Sequence, residues 1–539
     1  MLFIFAFIIS LVVTMILIPP IMKWADKIGA IDLPDVRKVH TQAIPRVGGI
    51  AMVAGSVLSV LLLADLNQQV IAILVGFLVI WGFGLWDDKC DLNYKIKFLG
   101  QLLAVVIVVT WGDVIVRTFP FIDDHIPDYL AIPFTIFALV GITNAINLSD
   151  GLDGLAGGTS LISISIIALL AYDAGGETVV IIAMAVAGSI FGFLRHNTYP
   201  ARLFMGDTGS QFLGFSLGVI VILLSQSINS AMSPLIPLMI LGLPILDTFA
   251  VMAQRLYQRR SPFSPDKNHI HHKLLALGLD HYEAVFVIYL LQSSFVALAY
   301  FMLYESDTLL SLIYLGISAL VLMLFHIASI SDWRINNIDV KQSSTLKQIV
   351  SYLRDQGWLV GIPTHILSVL VPLLIVLAAV LFNNVSFDMS ILAILLLLMM
   401  LVAMLMQPKD TSILEKAVFY ITSVIVVYQF SNAIDDADIV QGVNLLFTIL
   451  VVAFALRVRF SYESTFQVTP LDYLVILLVI VIPNFPEVHL ADNGIAEMAI
   501  KLIVLFYAGE AVMGMALRKR YLLRIGVVSA LIIMLVKGV

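Results

Sequence analysis

Asp87-Asp88 stands directly after an apolar run ending at Trp86, Asn147 through Asp153 after another, and Gly206-Asp207 directly before a third. A basic loop, His269-Ile270-His271-His272-Lys273, follows a fourth. Charge is scarce in this chain: 12% of its 539 residues are charged and 60% are hydrophobic, against about 25% charged in a soluble domain. Carboxylates gathered with His, Arg and Lys at a water–lipid boundary point to metal-assisted phosphate chemistry between a water-soluble substrate and a lipid.

Each cluster has a bland alternative. Adjacent aspartates at a membrane edge are costly unless they bind something, and a carboxylate pair suits Mg²⁺, which takes one or two carboxylates with phosphate oxygens and water; a solvated loop pair is the rival. Lys97, which follows with Gln101, either meets a lipid phosphate or snorkels to the interface. Asn144, Asn147, Asp150 and Asp153 recur at spacing three, which on a helix sets neighbours on one side. Gly151 and Gly154 let the backbone pass close to a ligand. A plain helix end would carry one Gly and a Lys or Arg instead. The stretch Asn197–Ser210 offers Phe204 as a face for a base and Asp207 for a metal, although Asp207 would also serve as a helix cap. In Arg255–Lys273, which includes Arg259, the residues His269, His271 and His272 bind zinc or clamp a pyrophosphate. With so many acids nearby and Cys90 the sole cysteine, the clamp is favoured. Asp247, inside an apolar run, is functional by default, with a hydrogen-bonded structural role as an equal alternative. The loop Asp32–Gly49, with Lys38 and His40, reads by itself as a topology signal and a tight turn.

These clusters need membrane helices to place them. Apolar runs of about 20 residues, enough to cross a bilayer core as helix, recur along the chain, and the alternating pattern of a barrel is absent. The expected fold is all-α, a polytopic integral membrane protein with about eleven spans in 1–330 and about seven more in 358–539. The polar stretch 331–357 is a cytoplasmic linker between that core and a C-terminal membrane extension. Met1–Pro20 lacks a basic n-region and reads as a retained span, not a signal peptide. Lys and Arg mark the cytoplasmic side: Lys23, Lys27, Lys89, Lys95, Arg195, Arg202, Arg255 and Lys273 fall in alternate loops, while the other loops carry Asp123-Asp124, Asp173 and Asp435-Asp436. The count puts all four clusters on the cytoplasmic face and both termini outside.

Taken together, Asp32-Leu-Pro-Asp-Val-Arg-Lys-Val-His40, Asn144–Gly154, Phe204-Met-Gly-Asp-Thr-Gly-Ser210 and the His-Ile-His-His loop resemble the polyprenyl-phosphate N-acetylhexosamine-1-phosphate transferases, the MraY/WecA-like glycosyltransferase family 4, and look most like its WecA branch. The resemblance spans roughly residues 1–330. It implies transfer of HexNAc-1-phosphate, with GlcNAc the expected sugar, from UDP-HexNAc to undecaprenyl phosphate in the bilayer of a bacterial inner membrane. UMP leaves, and the lipid product starts a surface or secreted polysaccharide. It implies that Asn147 and Asp207 hold Mg²⁺, or Mn²⁺ in its place. Asp87 and Asp88 would position or deprotonate the lipid phosphate, Lys97 bind phosphate, and Asn144 line the site. Asp150, Asp153, Asn197 and Phe204 would form the nucleotide pocket. His269, His271 and His272, with Arg259 of the preceding loop, would bind the sugar-phosphate side, and Asp32, Lys38 and His40 would complete the site. A homodimer is expected by resemblance alone, and no nucleic acid is expected as a partner.

The stretch 358–539 departs from the family pattern and carries no motif. Two rivals remain: a transporter of polyprenyl-linked sugars, which would place its polar residues near the bilayer midplane, and a non-catalytic scaffold, which would have lost some of the carboxylate or His positions.

Overall fold

A computed structural model describes residues 2–32, 43–122, 124–261, 268–330, 358–382, 387–405, 412–433, 437–460, 495–513 and 517–538. The protein is an all-α polytopic membrane protein. Among the described residues, eleven helices are long and apolar enough to cross a membrane. With no water in the bilayer core, helix formation is how such runs satisfy their own backbone. The chain divides into two compact units, Met1–Asp339 with Thr469–Leu474, and Val340–Val468 with Val475–Val539.

The first unit opens with α1 (Leu2–Ile28), a two-stranded antiparallel ribbon of β1 (Ile31–Asp32) and β2 (Ile44–Pro45), α2 (Gly48–Leu63), α3 (Gln68–Cys90), α4 (Tyr94–Thr110) and α5 (Asp128–Ser149). It continues through α6 (Leu155–Asp173), α7 (Glu177–Asn197), α8 (Gly206–Leu223), α9 (Ile236–Ile240), α10 (Gly242–Tyr257), α11 (Ile270–Ala276), α12 (His281–Phe301) and α13 (Asp307–Ile330). α6, α7 and α8 bury most of their apolar length, whereas α1 and α13 bury little. α8 is the axis of the unit, packed on by α2, α3, α5 and α6.

Local chemistry shapes the two places that matter for the site. α3 stops where Asp91 turns left-handed (φ 45°), and Asn93 opens α4 by accepting the Lys95 N–H. This short reversal sets Lys97 beside Asp87. The run expected as one span near 232–254 is instead two helices broken at Leu241. Pro244 has no N–H to give to the Ile240 carbonyl four residues back. That carbonyl instead accepts from Gln292 Nε2 at 2.7 Å and Ser163 Oγ at 2.9 Å. A freed backbone group inside a membrane protein is thus re-satisfied by neighbouring helices, and the break aims α10 and its Asp247.

The second unit consists, among the described residues, of α14 (Trp358–Leu381), α15 (Phe387–Leu405), α16 (Ser412–Ala433), α17 (Ala437–Phe460), α18 (Ile495–Met513) and α19 (Leu517–Gly538). Its core is built from Leu367, Val371, Phe382, Phe419 and Met534 with their neighbours. The span expected near 470–484 lies outside the described residues, as does the linker 331–357.

Candidate active site

The centre of the site is the first turn of α8. Asp88 accepts the Asp207 N–H on Oδ1 at 2.7 Å, and the Thr208 N–H and hydroxyl on Oδ2 at 3.0 and 2.6 Å. A carboxylate at a helix N-terminus satisfies orphan donors and complements the helix dipole. Gly206 is required here: its φ is +69°, and a Cβ would lie 2.5 Å from the Asp88 carboxylate. Asp88 is therefore a positioning group, and what it positions is Asp207.

Four helix ends meet around Asp207. Lys97 Nζ lies 2.6 Å from Asp87 Oδ2 and 3.0 Å from Asp207 Oδ2. Asn147 Nδ2 donates to Asp207 Oδ1 at 2.7 Å and to Ser210 Oγ at 2.8 Å. Asp87, 1% exposed, also accepts the Leu92 N–H at 2.7 Å. One turn deeper, Gln101 ties Asn144 to Gln211: Asn144 Nδ2 donates to Gln101 Oε1 at 2.7 Å, and Gln101 Nε2 donates to Gln211 Oε1 at 3.1 Å. A buried amide network of this kind fixes the relative rotation of α4, α5 and α8.

The turn between α5 and α6 carries Asp150 and Asp153. Asn197 holds it from α7, accepting the Gly154 N–H at 2.9 Å and donating to the Leu203 carbonyl at 2.9 Å. Asp153 Oδ2 accepts the Ala201 N–H at 2.9 Å, and Tyr289 Oη donates to the Gly154 carbonyl at 2.7 Å. His281 Nε2 lies 3.2 Å from the Asp153 carbonyl, and Tyr199 stacks on its ring at 4.2 Å. Asp150 opens onto solvent at the rim, yet protein crowds it and Asp207, Asp153 and Asp88 surround it. Desolvation first, then those like charges, push its carboxyl up to about 7.

The His loop meets this turn. His269 Nδ1 lies 2.8 Å from Asp247 Oδ2, and the His269 and His271 rings are parallel with centroids 5.8 Å apart. The His271 ring rests on Gly151, where an added Cβ would lie 2.2 Å from Nε2. Burial, reinforced by the neighbouring His272 and His269 and opposed by Asp247, brings His271 down to about 3. At neutral pH it offers a neutral ring, not a cation. His272 is half-buried beside it, with ring centroids 4.2 Å apart.

Asp32 is buried and paired with Arg46. Its ribbon docks on the loop before α8: Phe204 N–H donates to the Pro45 carbonyl at 2.8 Å and Gly48 N–H to the Phe204 carbonyl at 2.9 Å. Phe204 itself is half-buried. Arg259 stands exposed in the turn after α10, with φ 55°. Lys38 and His40 lie outside the described residues.

The donor set suits a hard cation. Asp87 and Asp207 are oxygen ligands that already share one ammonium, and Asn147, whose Nδ2 faces Asp207 here, also carries a carbonyl oxygen. Among the described residues no group of three His, Cys, Asp or Glu is set to hold an ion by itself; Mg²⁺ takes one or two carboxylates and fills its other places with phosphate and water.

Residues 70–225 match the family model described as glycosyl transferase family 4. A probable undecaprenyl-phosphate N-acetylglucosaminyl 1-phosphate transferase of Bacillus subtilis is 43% identical over 289 residues, 53% of this chain and 81% of the relative. The chain belongs to glycosyl transferase family 4. A decaprenyl-phosphate N-acetylglucosaminephosphotransferase of Mycobacterium tuberculosis is 35% identical over 303 residues, 50% of this chain and 75% of that protein. The undecaprenyl-phosphate alpha-N-acetylglucosaminyl 1-phosphate transferase of Escherichia coli K12 is 31% identical over 283 residues, 51% and 77%. The transporter reading finds no support in family 4 membership.

Within this family 4 site, sequence reasoning missed Thr208, Ser210 and Gln211 as working parts, along with Arg46, Tyr199, His281 and Tyr289. The α8 residues were within reach: Gln211 is four residues after Asp207, one turn along the same face. His281 and Tyr289 lie on α12, more than 120 residues from the turn they hold, and no local pattern marks them.

Proposed function

We propose that this protein transfers N-acetylglucosamine 1-phosphate from UDP-GlcNAc to undecaprenyl phosphate at the cytoplasmic face of a bacterial inner membrane, giving undecaprenyl-diphospho-GlcNAc and UMP. The observation that carries this reading is the meeting of Asp87, Lys97, Asn147 and Asp207, from four helix ends, at one boundary of the helical bundle.

An oxygen of the lipid phosphate attacks the phosphorus that bears the sugar, and the bond from that phosphorus to the UMP oxygen breaks. The nucleophile is already an anion, so the barrier is largely repulsion between it and the diphosphate. Fixed donors aimed at developing charge lower such a barrier most. Lys97 supplies a cation beside the reacting phosphates. Asp207 and Asn147, with Asp87, would hold Mg²⁺ (or Mn²⁺), which when bound screens the diphosphate charge. Asp88 fixes Asp207 through the first turn of α8. Phe204, Asp150 and Asp153 take the nucleoside, and His271 and His272 take the sugar-phosphate end as N–H donors. The prenyl tail stays in lipid while UDP-GlcNAc arrives from water.

The test is UMP release in detergent from UDP-GlcNAc plus undecaprenyl phosphate with Mg²⁺, beside Asp207→Ala. Lipid-dependent UMP from the wild type alone supports the reading. Folded wild-type protein that turns over no UDP-HexNAc overturns it.

A further inference from the structure

Asp247 belongs to none of the roles above, yet it is 6% exposed on a helix that a proline break aims at the His loop. Both carboxylate oxygens face that loop. Oδ2 lies 2.8 Å from His269 Nδ1, and Oδ1 accepts the Ile270 N–H at 2.8 Å. Through the parallel His269–His271 pair, this anchor sets the ring that rests on Gly151, next to Asp150. A small, shallow cleft runs along the contact, lined by Ser149, Thr159, Asp247 and His271 with apolar neighbours. A carboxylate held to a ring nitrogen selects which nitrogen carries the proton and fixes the ring's orientation.

We propose that Asp247 is a positioning residue for the transfer. By locking His269 it fixes His271 and His272 where the second phosphate of a nucleoside diphosphate sits, and it acts on that phosphate and not on the nucleoside. This rests on the transferase reading, which puts the sugar-phosphate end at the His loop. A purely structural anchor would lower stability and weaken all ligands alike. A positioning anchor separates UDP from UMP, because only UDP carries the second phosphate.

Equilibrium binding of UDP and of UMP to the full-length protein in detergent tests this, with Asp247→Asn, His269→Ala and the double variant. Asn keeps a carbonyl for the Ile270 N–H and so protects folding, which the melting temperature checks. We expect Asp247→Asn to weaken UDP by about tenfold or more, by analogy with the loss when the outer partner of a metal-ligating His is removed, while UMP affinity stays within about twofold. The double variant should bind UDP no worse than His269→Ala, since the two residues act as one unit. Equal effects on UDP and UMP, or additive losses in the double variant, overturn the proposal. Wild-type protein that fails to release UMP in the turnover assay brings down the transferase reading and this proposal with it. Wild-type turnover with an unchanged UDP-to-UMP ratio in Asp247→Asn brings down this proposal alone.

Discussion

Both units carry charged side chains on membrane helices, but they arrange them differently. In the second unit three cations stand in one-to-one contacts. Lys416 Nζ lies 2.7 Å from Glu510, Arg524 pairs with Glu415, and Lys537 donates to the Val380 and Phe382 carbonyls at 2.5 and 2.6 Å. In the first unit one ammonium, Lys97, serves two carboxylates, while Asp88, Asp150 and Asp153 crowd the same end. Apolar surroundings tolerate paired charge when its hydrogen bonds are met, and penalise unbalanced charge strongly. An excess of one sign therefore marks a place built to receive a counter-charge, whereas closed pairs mark scaffold.

The largest effect should come from the centre of the excess. Asp207→Ala is expected to cut lipid-dependent UMP release by about 10³-fold or more, the scale for removing a preorganised electrostatic group, with little change in melting temperature. Retained turnover would refute the assignment of Asp207. Lys97→Gln comes next, with two readouts that move in opposite directions. Turnover should fall by about 10²-fold, and Mn²⁺ binding followed by electron paramagnetic resonance should tighten, because the ammonium no longer competes for Asp87 and Asp207. Lys95→Gln, on an exposed neighbour, is the control. Mn²⁺ binding that weakens in Lys97→Gln would show that the carboxylates are not the cation's seat.

The paired region gives the contrasting result. Arg524→Leu leaves Glu415 buried without its cation and should cost about 3 kcal/mol of stability, read as a lower melting temperature, while UMP release per folded molecule stays within about twofold. The double change Arg524→Leu with Glu415→Leu should recover most of that loss. A fall in turnover without a fall in stability would mean that the extension works in catalysis and that the division between scaffold and site is wrong.

The sequence showed where the excess would lie. Asp87, Asn147, Asp207 and the His loop stand at helix ends, and lipid makes charges rare enough to notice. It did not show how they divide the work. Asp88 follows Asp87 directly, yet one binds Lys97 and the other caps α8, because successive residues on a helix point 100° apart and only packing decides what each direction meets. The α9–α10 break was legible in principle from Pro237 and Pro244. That Asp247 should reach His269 was not, because it depends on Gln292 and Ser163 from distant helices capturing the Ile240 carbonyl.

The smallest predicted effect separates the two regions by pH. Desolvation and its acidic neighbours raise the Asp150 carboxyl from 3.8 to about 7. Between those values the folded protein holds a proton that the unfolded chain has released, so the site favours folding less as pH rises through the window. Asp150→Asn removes this dependence. Without divalent metal, its melting temperature should match the wild type near the acid end, rise above it as pH climbs toward 7, and hold a constant lead beyond. Adding Mg²⁺ should shrink that lead, because a bound cation favours the ionised carboxylate. A lead that does not change with pH would mean that Asp150 is screened by solvent at the rim and that the excess of negative charge is confined to Asp87, Asp88 and Asp207. A lead that grows with pH and closes with metal would extend the counter-charge site from the first turn of α8 across to the α5–α6 turn.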